Sequence, residues 1–154
     1  MKKFFVIGDS HVNFFGGHEK ITWLPIKYND TMLDIRCSPR PMVKNFFFFH
    51  LGPALAYNLN KYGTTTKARE KIEFLISSGI IPAGSNILCA FGEVDIRVHV
   101  LKQAKEKNIP FENVVDEILE NYLTFLKFIQ ENFVQQGGGF MSGDRFLRKR
   151  TVRR

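Results

Sequence analysis

The chain has 154 residues, 44% of them hydrophobic, enough for one domain with a core of its own. Its formal charge of +7 does not argue for nucleic acid, because the six basic residues after Phe133 stand against one acid and hold a net +5 of that total. Two cysteines, Cys37 and Cys89, are too few for a disulfide scaffold, and no run approaches the ~20 apolar residues of a membrane span.

A reducing, cytoplasmic setting is therefore the expectation. Met1-Lys2-Lys3 followed by Phe4-Phe5-Val6-Ile7 imitates the start of a secretory signal. The apolar stretch ends at Gly8, however, short of the roughly 7–15 residues that such a signal needs.

Lys3 to Ile7 predicts a buried strand closed by Gly8, and Gly8-Asp9-Ser10-His11 a tight turn at its carboxyl end. Residues 12–45 are irregular, with short strands expected over Thr22 to Tyr28 and Met32 to Arg36. Phe46 to Phe49 predicts a strand buried on both faces, ending in the turn His50-Leu51-Gly52-Pro53 and a short helix from Ala54 to Leu59. Thr66 to Ser78 is an amphipathic helix with Ile72, Leu75 and Ile76 on one side and Gly79 as its stop. Asn86 to Phe91 predicts a third buried strand, with Cys89 as a buried thiol, ending at Gly92-Glu93-Val94-Asp95. Helices are expected over Arg97 to Lys107 and Phe111 to Phe133, the latter carrying Val114, Val115, Ile118, Tyr122, Phe125, Leu126, Ile129 and Phe133 at helical spacing. Strands alternating with helices imply an α/β domain with a parallel sheet and right-handed crossovers.

The pattern ends at Phe133. Residues 134–154 form a basic Gly/Arg-rich tail without period. A long helix in this architecture leads back to another buried strand, and a three-stranded parallel sheet with a bare edge invites aggregation. The expectation is an α/β domain over residues 1–133 that is truncated or frame-shifted there, followed by a disordered tail.

Each predicted strand ends in a turn carrying chemistry: Gly8-Asp9-Ser10-His11, then His50-Leu51-Gly52-Pro53, then Gly92-Glu93-Val94-Asp95-Ile96-Arg97. Strand ends and the helix starts that follow them are where ligands bind in open α/β sheets. In order and spacing the three turns resemble the blocks of the SGNH (GDSL-type) hydrolases, the third in a Gly-Glu-x-Asp-x-Arg variant. The resemblance implies a three-layer α/β/α sandwich with a flavodoxin-like parallel sheet, its C-terminal strands missing. It implies a serine esterase acting on a small O-acyl or O-acetyl ester, a small molecule or glycan, without a cofactor, nucleic acid or metal. Ser10 would be the nucleophile, and the backbone N–H groups of Ser10 and Gly52 would form the oxyanion hole. Asp9, His11, Gly92, Glu93, Asp95 and Arg97 would support the site.

Two departures from the family pattern predict weak or no turnover. Val94 stands where the family has an oxyanion-donating asparagine, and losing one such donor typically costs ~10²–10³ in rate. The family's Asp-x-x-His base does not follow Asp95, since Asp144 is followed by Arg145-Phe146-Leu147. A serine without a base stays protonated. Glu93 or Arg97 would be one compensation for the missing donor, and His11 would be the substitute base if the chain has one.

Blander readings stand beside these. Asp9 caps the turn, His11 faces solvent at a helix start, and His50 satisfies a buried backbone group. His99 is a partly buried structural residue, and Asp95 with Arg97 is an ion pair that holds the loop. Gly8-Asp9-Ser10-His11 also resembles the first metal block of metallophosphoesterases, with Asp9 and His11 as ligands. The last alternative is a non-catalytic α/β binding module.

Overall fold

The computed structural model describes residues 3–13, 22–28, 31–37 and 45–134. The expectations for the tail beyond Val134 lie outside the described residues. Strands Phe4–Gly8 (β1), Thr22–Tyr28 (β2), Thr31–Cys37 (β3), Phe46–His50 (β4) and Asn86–Ala90 (β5) form one sheet in the order β2-β3-β4-β1-β5. Helices are Ala68–Ser77 (α1), Val100–Lys107 (α2) and Phe111–Ile129 (α3). A short 3₁₀ turn spans Ala56–Asn58, and wide π-type turns span Asp95–His99 and Gln130–Val134.

β1 is parallel to both neighbours, β4 and β5, with Gly8 level with His50 and with Ala90. The expectation of a wholly parallel sheet is corrected on the other side. β3 runs antiparallel to β2 and to β4, so the sheet is mixed. Chain length is the reason: two residues separate β2 from β3 and eight separate β3 from β4. A parallel crossover needs a dozen or more, whereas an antiparallel hairpin closes over two. The hairpin lies along the outer edge of β4, which would otherwise present unpaired backbone groups.

The phenylalanines explain part of this pairing. Parallel register puts Phe4 on Phe46 and Phe5 on Phe47, with ring centroids 4.9 and 5.3 Å apart in stacked pairs. Such cross-strand aromatic pairs stabilise a sheet beyond the area they bury. Side chains then alternate between faces. Phe5, Ile7 and Phe49 pack against Ile72, Leu75 and Ile76 of α1 and against Phe125 and Ile129 of α3. Val6 and Phe48 form a smaller cluster with Val12.

β5 departs from its predicted burial. Leu88 is 42% exposed and the other four residues are half-buried, because among the described residues β5 is an edge of the sheet. Residues Ala54 to Leu59 contain one 3₁₀ turn in place of the expected short helix. Among the described residues, no helix is long and apolar enough to cross a membrane.

Candidate active site

The three turns do converge. β1, β4 and β5 are parallel and end level, so their carboxyl ends share one edge of the sheet. The Leu51 N–H donates to Gly8 O at 2.9 Å, and the Asp9 N–H reaches Ala90 O at 3.4 Å. Gly8 is required by this approach: an added Cβ would overlap Ala90 O and come within 2.8 Å of Val12 Cγ1. The motif's first glycine therefore answers to the packing of β1 on β5.

Asp9 follows directly and is 1% exposed. Its Oδ1 accepts from the His11 backbone N–H at 2.9 Å and lies 2.8 Å from His11 Nδ1. One oxygen of Asp9 thus both caps the turn and meets the His11 ring. The other, Oδ2, is buried without a hydrogen-bond partner. Ser10 between them is exposed, and His11 is about half exposed. His11 Nε2 faces Glu93 Oε2 at 3.6 Å, and Glu93 Oε1 accepts from Arg97 Nε at 2.6 Å. A polar relay of side chains, Asp9–His11–Glu93–Arg97, thus lies across the ends of β1 and β5, hydrogen-bonded at its two ends and with a 3.6 Å gap between His11 and Glu93 Oε2, which has no hydrogen-bond partner.

Arg97 corrects one expectation: its partner is Glu93, one helical turn earlier, and not Asp95. Asp95 is fully buried and turns the other way. Its Oδ2 accepts from the Ala56 N–H at 2.7 Å and its Oδ1 from the Tyr57 N–H at 3.1 Å. It anchors the loop after β4 by capping the 3₁₀ turn, a task in which no carboxylate oxygen is left over. Gly92 turns the chain between Phe91 and Glu93 with φ of 110°, a region that favours glycine. Gly52 has φ of 96°, with an added Cβ 3.1 Å from Thr66 Cγ2.

His50 departs from its expected role at one ring nitrogen, whereas His99 keeps the partly buried structural role expected of it. His50 Nδ1 is buried without a partner, so it satisfies no backbone group through that atom. Burial, reinforced by the charges of Arg36 and Lys71, lowers its pKa below the usual 6.5 against the opposing pull of Asp9 and Asp34. His99 packs its ring 5.1 Å from that of Tyr57, with Nε2 buried and without a hydrogen-bond partner. Burial pushes the Cys89 thiol up to about 12, which leaves it a poor nucleophile. Among the described residues, no three His, Cys, Asp or Glu side chains converge as a metal site requires.

One residue at this edge escaped the sequence reading. Lys71, on α1, is 6% exposed, and its Nζ donates to Leu51 O at 2.6 Å. A signal was present: Ala68, Lys71, Ile72, Leu75 and Ile76 follow the core-facing spacing of a helix, and only Lys71 is charged.

Comparison with known protein families, curated proteins and solved structures found no match to this chain.

Proposed function

We propose that this chain is an SGNH-like serine hydrolase domain of weak esterase activity, built on a three-layer, flavodoxin-like α/β/α plan in which β4, β1 and β5 are the parallel part. The observation that carries the reading is the Asp9–His11 pair beside exposed Ser10, at the level ends of three parallel strands. A carboxylate on Nδ1 fixes the imidazole tautomer and leaves Nε2 as the base, which is the logic of the hydrolytic triad. It supplies within three consecutive residues the base that the family draws from an Asp-x-x-His block.

Ser10 Oγ attacks the ester carbonyl while His11 Nε2 takes its proton. Asp9 Oδ1 holds the imidazolium, with Glu93 Oε2 as a second anion 3.6 Å from its far side. The backbone N–H groups of Ser10 and Gly52 take the developing oxyanion. The proton then passes to the leaving alcohol, and water activated by the same imidazole releases the acyl group. Val94 adds no side-chain donor, which keeps turnover low.

Fluorophosphonate labelling tests this directly. The expected result is labelling of the wild-type chain, unchanged by EDTA and absent from Ser10→Ala and His11→Gln. Equal labelling of wild type and Ser10→Ala would sink the serine hydrolase reading. EDTA-sensitive hydrolysis of bis-p-nitrophenyl phosphate would instead favour the metallophosphoesterase alternative, and silence in both assays a binding module.

A further inference from the structure

A cleft of about 390 Å³ opens beside Gly52, lined by Asp34, Gly52, Thr65, Thr66, Lys67 and Lys71 among others. Its volume is within the range of small-molecule sites, roughly 300–1,000 Å³. None of Asp9, Ser10, His11 or Glu93 lines it, so it is distinct from the relay, with Gly52 at its margin.

Lys71 makes the cleft unusual. An ammonium group has three N–H donors, and Leu51 O takes one of them. Among the described residues, no carboxylate lies within ion-pair distance of its Nζ. A buried charge without a counter-ion is costly, and proteins ordinarily pair it or neutralise it. Burial accordingly lowers the Lys71 pKa; Asp34 and Glu70 favour the charged form from a distance, while Arg36 and Lys67 oppose it. Glu70 is already engaged, its Oε1 accepting from the Gly63 N–H at 2.6 Å. Thr65 and Lys67 line the same walls, together with Thr66, whose hydroxyl donates to Pro53 O at 3.5 Å.

We propose that this cleft binds a small oxyanion group, carboxylate or phosphate, with Lys71 as its counter-charge. Because Gly52 lines the cleft and is an oxyanion donor in the esterase reading, the inference also names a substrate class, and in that part it rests on that reading. Preferred esters carry an acidic group on the part of the molecule that extends past Gly52 into the cleft. Asp34 limits affinity for dianions, since its own charge faces the same space.

Binding and turnover separate the two claims. Ser10→Ala protein would be titrated with malonate and, separately, inorganic phosphate at constant ionic strength, following ¹H–¹⁵N shifts. The expected result is a saturable shift at Gly52, Thr66 and Lys67, weakened at least tenfold in Lys71→Met and strengthened in Asp34→Asn. Whichever of the two probes binds more tightly distinguishes carboxylate from phosphate. No saturable shift, or an unchanged affinity in Lys71→Met, overturns the site. If Lys71→Met fails to fold, Lys67→Ala with Asp34→Asn must move affinity in opposite directions for the proposal to stand.

For the substrate class, wild-type kcat/KM for p-nitrophenyl succinate should exceed that for p-nitrophenyl acetate, and Lys71→Met should remove the preference. Equal values overturn the substrate assignment. Anion binding without hydrolysis of either ester leaves the site standing and removes the esterase reading; hydrolysis of acetate without anion binding does the reverse.

Discussion

Asp9 directly follows β1 and Asp95 opens the turn after β5, and both are almost wholly buried, yet they are satisfied in opposite ways. Asp95 has both oxygens occupied by backbone N–H groups from a loop 38 and 39 residues earlier in the chain. Asp9 gives one oxygen to a histidine two residues away and keeps the other without a hydrogen-bond partner. A buried carboxylate completely satisfied by backbone is a scaffold bolt. One that is partly satisfied and tied to an exposed imidazole is costly to bury, and under the proposed function that cost goes to keeping His11 in place.

The contrast can be broken most sharply at Asp9. Asp9→Asn should slow fluorophosphonate labelling of Ser10 by about 10³–10⁴-fold, since the tautomer of His11 is no longer fixed. Its urea midpoint should move by less than about 1 kcal/mol in equivalent stability, because the amide oxygen still accepts from the His11 N–H. A large loss of stability would make Asp9 another Asp95.

At Asp95 the pattern reverses. Asp95→Ala leaves the Ala56 and Tyr57 N–H groups buried and unpaired, and should cost about 3 kcal/mol in a urea titration. Labelling of the fraction that stays folded should persist.

Gly8→Ala tests the frame that holds both turns. Its methyl group would overlap Ala90 O, so a destabilisation of about 2 kcal/mol is expected by the same titration, with loss of labelling as β1 and β5 part.

The smallest effect lies in pH. The folded-state pKa of His50 is depressed, so below about 6.5 the unfolded chain binds a proton that the folded chain resists. Its contribution is complete above that unfolded-state value and is lost as pH falls toward the folded-state pKa. Stability of wild type should therefore drop between pH 7 and 5 more steeply than that of His50→Gln, which has no such proton to take up.

Much of the site was legible where its parts are local. Gly8-Asp9-Ser10-His11 marked the turn, and the i to i+2 spacing of Asp9 and His11 already allows their hydrogen bond. Glu93 and Arg97, four apart at a helix start, were likewise within reach of each other on sequence grounds. Reading Arg97 onto Asp95 failed because residues two apart on a helix do not face each other. The antiparallel hairpin was also readable, from the two residues between its strands, but the alternation of strands and helices elsewhere drew the reading toward a parallel sheet.

What the sequence determined by itself is the set of local choices. These are β-forming Phe and Val runs closed by glycine, the core-facing stripes of α1 and α3, and a serine, an aspartate and a histidine on one turn. Tertiary structure alone decided which groups are satisfied. Asp95 is a bolt because the chain returns Ala56 and Tyr57 to it, Leu88 is exposed because β5 lies at an edge, and Lys71 faces a cleft because α1 packs beside Gly52. Hydrogen bonding and burial are set by partners distant along the chain, and periodicity is blind to such partners.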